Sequence, residues 1–231
     1  AAVAIDARMP VLDLVPALEA AFAPVSAAPL VGAVGSDAVV LLRGWARPLP
    51  QRVRSQVGEA ATTLAELAPA AGSVVAVGTP TADLSGVAGQ VAQARDVLRI
   101  AQRFGIRSGV VLARDVGAQR LLSTGVEPSV ASEFVAEQIG PLIEHDRAYS
   151  ADLVRTLDAY LAAGLSKAAT ARALGIRRQS LYGRMARIEA LLGVSLGDPV
   201  QVMGLGLALT SWRMRTGLDP QSVFERAQRA R

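Results

Sequence analysis

The stretch SKAATARALGIRRQSLYGRMARIEALLG, residues 166–193, carries six basic side chains against one acidic one. The basic residues are Lys167, Arg172, Arg177, Arg178, Arg184 and Arg187; the acid is Glu189. Positive charge at this density attracts an acidic partner, and nucleic acid is the commonest one. Arginine grips guanine O6 and N7 with two hydrogen bonds, and glutamine pairs with adenine N6 and N7. Arg177, Arg178, Gln179 and Ser180 are consecutive, so one short segment holds several groups able to read base edges. Lys167, Thr170, Tyr182, Arg184 and Arg187 are suited to backbone phosphates. The competing reading is a basic amphipathic hairpin that binds an acidic protein.

Local signals say what must position these groups. Ser166 can cap a helix running to about Leu174, its hydroxyl accepting an orphan backbone N–H. Gly175 suits a turn that needs positive φ. Leu181, Met185, Ile188 and Leu192 then recur at i, i+4, i+7 and i+11, one apolar stripe on a second helix. Two helices joined by a short turn containing Gly form a helix-turn-helix, whose second helix enters the major groove with its first residues at base edges.

The charge is unevenly spread. Residues 151–231 hold 12 of the 24 Lys and Arg but only 6 of the 20 Asp and Glu. The 231 residues are 51% hydrophobic, enough for a sizeable core in one large domain or two small ones. Cysteine is absent, which excludes disulfides, thiolate metal sites and a Cys nucleophile and fits a cytoplasmic location. No apolar run reaches the roughly 18 residues of a membrane span, so no membrane partner is expected. The start, AAVAIDARMP, has neither signal-peptide character nor an initiator Met, as expected of a fragment of a longer protein.

The first half alternates strand and helix signals. Strands are expected at 1–6, on both sides of Ser36-Asp37, at 73–78 and at 109–115; helices at 11–22, 50–68 and 83–104. The order β-α-β-β-α-β-α-β predicts helices on a mostly antiparallel sheet, close to the split-βαβ motif. Beyond residue 115 only helices are expected, at 116–123, 128–145 and 150–163, then the hairpin, then a last helix opened by Asp198-Pro199. The fold class is therefore α+β: an α/β sandwich followed by an all-α domain.

Residues 150–210 resemble the C-terminal helix-turn-helix of the PucR/CdaR family of bacterial transcriptional regulators. The pieces are DLVRTLDAYLAAGLSKAATARALGIRRQSLYGRMARIEALLG and SLGDPVQVMGLGLAL. They match the family's S-x-x-x-T-A-R-x-L helix, R-N-T-x-x-Y-R-L recognition helix, R-I-E-x-L-L-G exit and L-x-D-P start. The resemblance sets the family's Arg, Asn and Thr on Arg178, Gln179 and Ser180, and its later Arg on Arg184. Gln179 replaces Asn and Gly183 replaces Tyr, so the base preference cannot be borrowed. Upstream, residues 1–115 resemble the GGDEF-like domain of these regulators, which implies a ferredoxin-like core related to diguanylate cyclases. At the cyclase motif stand Gly35, Ser36, Asp37, Ala38 and Val39, so the second Gly, the Glu and the Phe are missing.

The resemblance implies a DNA-binding, non-enzymatic regulator acting as a homodimer on double-stranded DNA. Its parts are a degenerate GGDEF-like domain at 1–124, a helical connection at 125–150 and a helix-turn-helix domain at 151–231. Effector sensing by such regulators usually belongs to a further N-terminal domain; a small-molecule effector would act there. No cofactor, metal or catalytic residue is expected, although Asp6 near Asp37 keeps a nucleotide-binding sensor as an alternative. His145 is the sole histidine and lies in the helical connection, and GLGLA at 204–208 follows no strand, so neither marks an enzyme. Incubation with GTP and Mg²⁺ or Mn²⁺ is expected to yield no cyclic dinucleotide; turnover abolished by Asp37→Ala would contradict this.

Overall fold

The computed structural model describes residues 1–6, 10–26, 28–42, 50–69, 74–81 and 83–216. The ends of two expected strands, at 43–44 and 73, and the tail at 217–231 lie outside these residues. The chain divides into two compact units, Ala1–Arg120 and Leu121–Arg231.

The first unit is built on a five-stranded sheet in the order β2-β3-β1-β4-β5. Its strands are β1 (Ala2–Asp6), β2 (Leu30–Val34), β3 (Asp37–Leu41), β4 (Val74–Val77) and β5 (Gly109–Leu112). Three pairings are antiparallel and β4–β5 is parallel. Strand periodicity sorts side chains by size. In β1, Val3 and Ile5 face one way and Ala2 and Ala4 the other. The larger set joins Val40, Val75, Val77 and Leu112 under α1 (Val11–Phe22) and α2 (Pro50–Leu67), which contribute Leu14, Leu18, Phe22, Val53, Val57 and Leu64. The smaller set lies on the side of α3 (Val87–Arg103), which packs on β1 and β4. Small side chains there let the helix sit close to the strands.

That closeness is sharpest at Gly78. A Cβ added there would lie 2.9 Å from the backbone oxygen of Gln90 on α3. The helix α1 runs through Pro16; the carbonyl of Leu12, which loses its helical donor, lies in an exposed turn where water can replace it. Strand β5 ends at Leu112 rather than 115, because the chain turns there and the Asp115 carboxylate accepts the Leu112 N–H at 2.9 Å.

The described residues of the second unit form helices and their connections, with no strand. The unit contains α5 (Pro128–Tyr149), α6 (Leu153–Ala162), α7 (Lys167–Leu174), α8 (Arg178–Leu192) and α9 (Pro199–Thr216), and α4 (Gly117–Thr124) crosses the division. Residues 125–150 are mostly one helix, α5. Helix α5 packs on α6, α8 and α9 and buries Val135, Ile139 and Leu142 in their common core. It also runs to Tyr149, past the expected end at 145, and α6 starts only at Leu153. Ser150 and Asp152 take left-handed conformations between the two, with φ of 49° and 56°.

The close approach at Gly78 yields a prediction. In Gly78→Ala the new methyl meets main chain, which cannot rotate away, so about 1–3 kcal/mol of stability should be lost. Denaturant unfolding checks it; an unchanged midpoint would contradict the packing described.

Candidate nucleic-acid interface

The hairpin forms as its sequence requires. Ser166 Oγ accepts the Ala169 N–H at 3.3 Å, capping α7. Gly175 ends it at φ 66°, and its N–H returns to the last turn of α7. Leu181, Met185 and Ile188 are buried, while Leu192 is half-buried at the edge of the same core. Because this stripe faces inward, the opposite face of α8 points to solvent. Arg177, Arg178, Gln179 and Ser180 are all exposed, as are Tyr182, Gly183, Ala186 and Arg187.

The first turn of α8 is also electrically open. Its N-cap, Arg177, makes no side-chain cap. The leading amide N–H groups and the positive end of the helix dipole therefore accompany the arginines, a combination suited to phosphate. Lys167 Nζ lies 5.0 Å from the centre of the Tyr182 ring, a cation–π contact that ties the start of α7 to α8. Both residues are exposed, so their polar ends still face solvent.

Two expected contact residues occupy different places. Thr170 is fully buried, and its hydroxyl donates to the Ser166 carbonyl at 2.8 Å. It holds the first turn of α7 and presents nothing to a phosphate. Arg184 is half-buried, and its Nη1 donates to Thr156 Oγ1 at 3.1 Å. Thr156 is itself buried and donates to the Asp152 carbonyl at 2.7 Å. Arg184 thus links α8 to α6. Its place off the apolar stripe suits a phosphate, and the structure turns one of its amino groups to a buried hydroxyl on the neighbouring helix.

Other groups fix the ends of α8 and of its neighbouring helices. Asp146, near the end of α5, accepts the N–H groups of Leu153 and Val154 at 2.8 Å each. It caps α6 from across the bend; Asp152, which directly precedes α6, makes no side-chain cap. Glu189 accepts the Leu196 N–H at 2.9 Å, fixing the chain between α8 and α9. Asp198 caps α9 as its sequence suggests, accepting the Val200 N–H at 2.9 Å. On the other side of α6, Asp158 forms an ion pair with Arg213 of α9. The two side chains are only 15% and 11% exposed. Burial pushes the Arg213 guanidinium down to about 10, which leaves it charged at neutral pH.

In the first unit, Asp6 and Asp37 are paired residues of neighbouring strands. Arg95 Nε donates to Asp37 at 2.7 Å, so a cation of the chain already neutralises this carboxylate. Among the described residues no cluster of three or more metal-ligating side chains occurs, and no helix is long and apolar enough to cross a membrane.

Comparison with known proteins agrees with the geometry of the second unit. Residues 153–211 match the PucR C-terminal helix-turn-helix domain. An uncharacterized protein in the pkwA 5′ region of Thermomonospora curvata is 37% identical over 99 residues, which are 43% of this chain and 54% of that protein. The match thus spans about half the length of that relative. The crystal structure of a regulator of polyketide synthase expression from Bifidobacterium adolescentis is 17% identical. It aligns with 93% of this chain and 84% of its own at a TM-score of 0.37, too low to relate the two in detail. The matched residues 153–211 span α6 to α8 and most of α9, so α7 and α8 fall within the part similar to a PucR-type helix-turn-helix.

The pair Asp158–Arg213 makes the frame testable. Asp158→Ala leaves a largely buried guanidinium without its carboxylate, and should cost about 3 kcal/mol. A thermal melt of the full chain checks this; a change under about 0.5 kcal/mol, typical of a surface pair, would refute it.

Proposed function

We propose that this chain is a transcriptional regulator that reads double-stranded DNA as a dimer, with α8 in the major groove. One observation carries the reading. Four consecutive exposed polar side chains, Arg177 to Ser180, open a helix whose opposite stripe is locked into the core of a PucR-type helix-turn-helix domain. Helix-turn-helix proteins place base-reading groups there. Arg178 and Gln179 read base edges. Arg187, two turns on and exposed, meets phosphate, as do Lys167, Tyr182 and the open first turn of α8. Arg184 and Thr170 act by holding the hairpin.

A single recognition helix covers few base pairs, so useful affinity calls for two copies on paired half-sites. The first unit then serves as a non-catalytic scaffold, its Asp37 carboxylate paired with Arg95. Such a regulator works in the cytoplasm and takes its small-molecule signal through a further domain.

Selection of duplexes by the full chain from a random pool tests the reading. Arg178→Ala should lose about 1–3 kcal/mol on the selected site and much less on random DNA. Arg187→Ala should weaken both alike and flatten the slope of log K against log salt by about 0.9 per subunit. Failure to enrich any duplex would refute DNA reading, and retention of an acidic protein by the same face would favour the protein-binding alternative. Equal effects of the two substitutions on both DNAs would refute the assigned roles.

A further inference from the structure

The two edges of the sheet are treated differently. At β5, Arg54 Nη1 donates to the Val110 carbonyl at 2.9 Å while its Nη2 binds Asp115 at 2.8 and 2.6 Å. Asp115 in turn accepts the Leu112 N–H. Side chains thus occupy the backbone groups that would attract another strand, and they place charge beside them, a usual protection of an edge. Among the described residues, strand β2 has neither device. Its sequence, LVGAV, contains no charge and no proline, and its residues 32–34 are exposed.

The register shows which backbone groups are open. Leu42 donates to the Ala1 carbonyl at 2.8 Å, so residues 38, 40 and 42 turn their amides toward β1. Residues 37, 39 and 41 then bond to β2, engaging residues 34, 32 and 30. The N–H and C=O groups of Val31 and Ala33 point outward. They are placed symmetrically about Gly32. A second β2 running antiparallel about that glycine would set each Val31 opposite the other copy's Ala33, making four hydrogen bonds.

The side chains fit the same axis. Leu30 and Val34 lie on the same face of the sheet as α3 and are 55% and 36% exposed. The two-fold would bring each Leu30 against the other copy's Val34. Gly32 has no atom within 4 Å of an added Cβ, and the β2–β3 register runs through it without a bulge. Nothing among the described residues calls for glycine there; an isolated strand glycine often marks the close approach of another backbone.

We propose that β2 is a dimer seam, joining two copies of the chain edge to edge about Gly32 into one ten-stranded sheet. The occupant is a second copy because open amides, apolar pairs and glycine are all self-complementary about one axis, as a two-fold interface requires. The seam is short, at the low end of specific interfaces in size. This deepens the dimeric reading above, and it is tested without DNA so that its failure leaves recognition by α8 untouched.

The chain has no cysteine, so single cysteines report cleanly. Gly32→Cys should form a disulfide-linked dimer on mild oxidation. In Val34→Cys the two positions lie about 13 Å apart along the seam, beyond disulfide reach, and little should form. Ala33→Pro removes an outward N–H without touching the β2–β3 ladder, and Gly32→Lys sets like charges directly opposite. Each should raise the dimer dissociation constant at least tenfold in sedimentation, with an unchanged thermal melt for at least one of them. Equal linkage at 32 and 34, wild-type dimerisation in both variants, or a wild-type chain wholly monomeric at about 100 μM would overturn the proposal.

Discussion

The burial of one stripe of α8 governs the candidate interface. Leu181, Met185 and Ile188 are fully or nearly fully removed from water, and each such side chain contributes about 1.5–3 kcal/mol. Rotating the helix by a quarter turn would expose that stripe and bury arginines. The hydrophobic effect therefore fixes which side chains α8 shows to solvent, although none of the residues that supply the energy touches a partner. The exposed polar side chains and the stabilising apolar ones lie on two faces of the same helix.

Apolar packing sets the rotation of α8; polar contacts set its depth and ends. Arg184 to Thr156, Glu189 to the Leu196 N–H, and Asp146 to the start of α6 each satisfy a group that burial would otherwise leave costly. A site for base edges needs this, because a hydrogen bond to a base fails with an ångström of misplacement. Charge is thus divided between two tasks. Arg184, Asp158 and Arg213 hold the frame, and Arg177, Arg178 and Arg187 remain exposed.

What could be read from the sequence was local. Ser166, Gly175 and the i, i+4, i+7 stripe declare the hairpin because capping, positive φ and helical period depend on neighbours in the chain. The strand-helix order of the first unit was legible for the same reason, as was the separation into an α/β and a helical part. Long-range partners were not legible. Arg184 and Thr156 are 28 residues apart, and no spacing rule distinguishes an arginine that meets a hydroxyl from one that meets solvent. Asp152 has the composition of a cap, yet the left-handed bend it occupies hands the task to Asp146. The unequal edges of the sheet were equally hidden, since Arg54 and Asp115 belong to an edge only once β5 has found its place.

The central claim is that α8 reads DNA from the major groove. Methylation interference on a duplex selected by the full chain tests it most directly. Methylation of guanine N7, in the major groove, should abolish binding at the guanines contacted by arginine, while methylation of adenine N3, in the minor groove, should leave binding nearly unchanged there. Interference confined to adenine N3, or binding indifferent to methylation in either groove, would contradict the account.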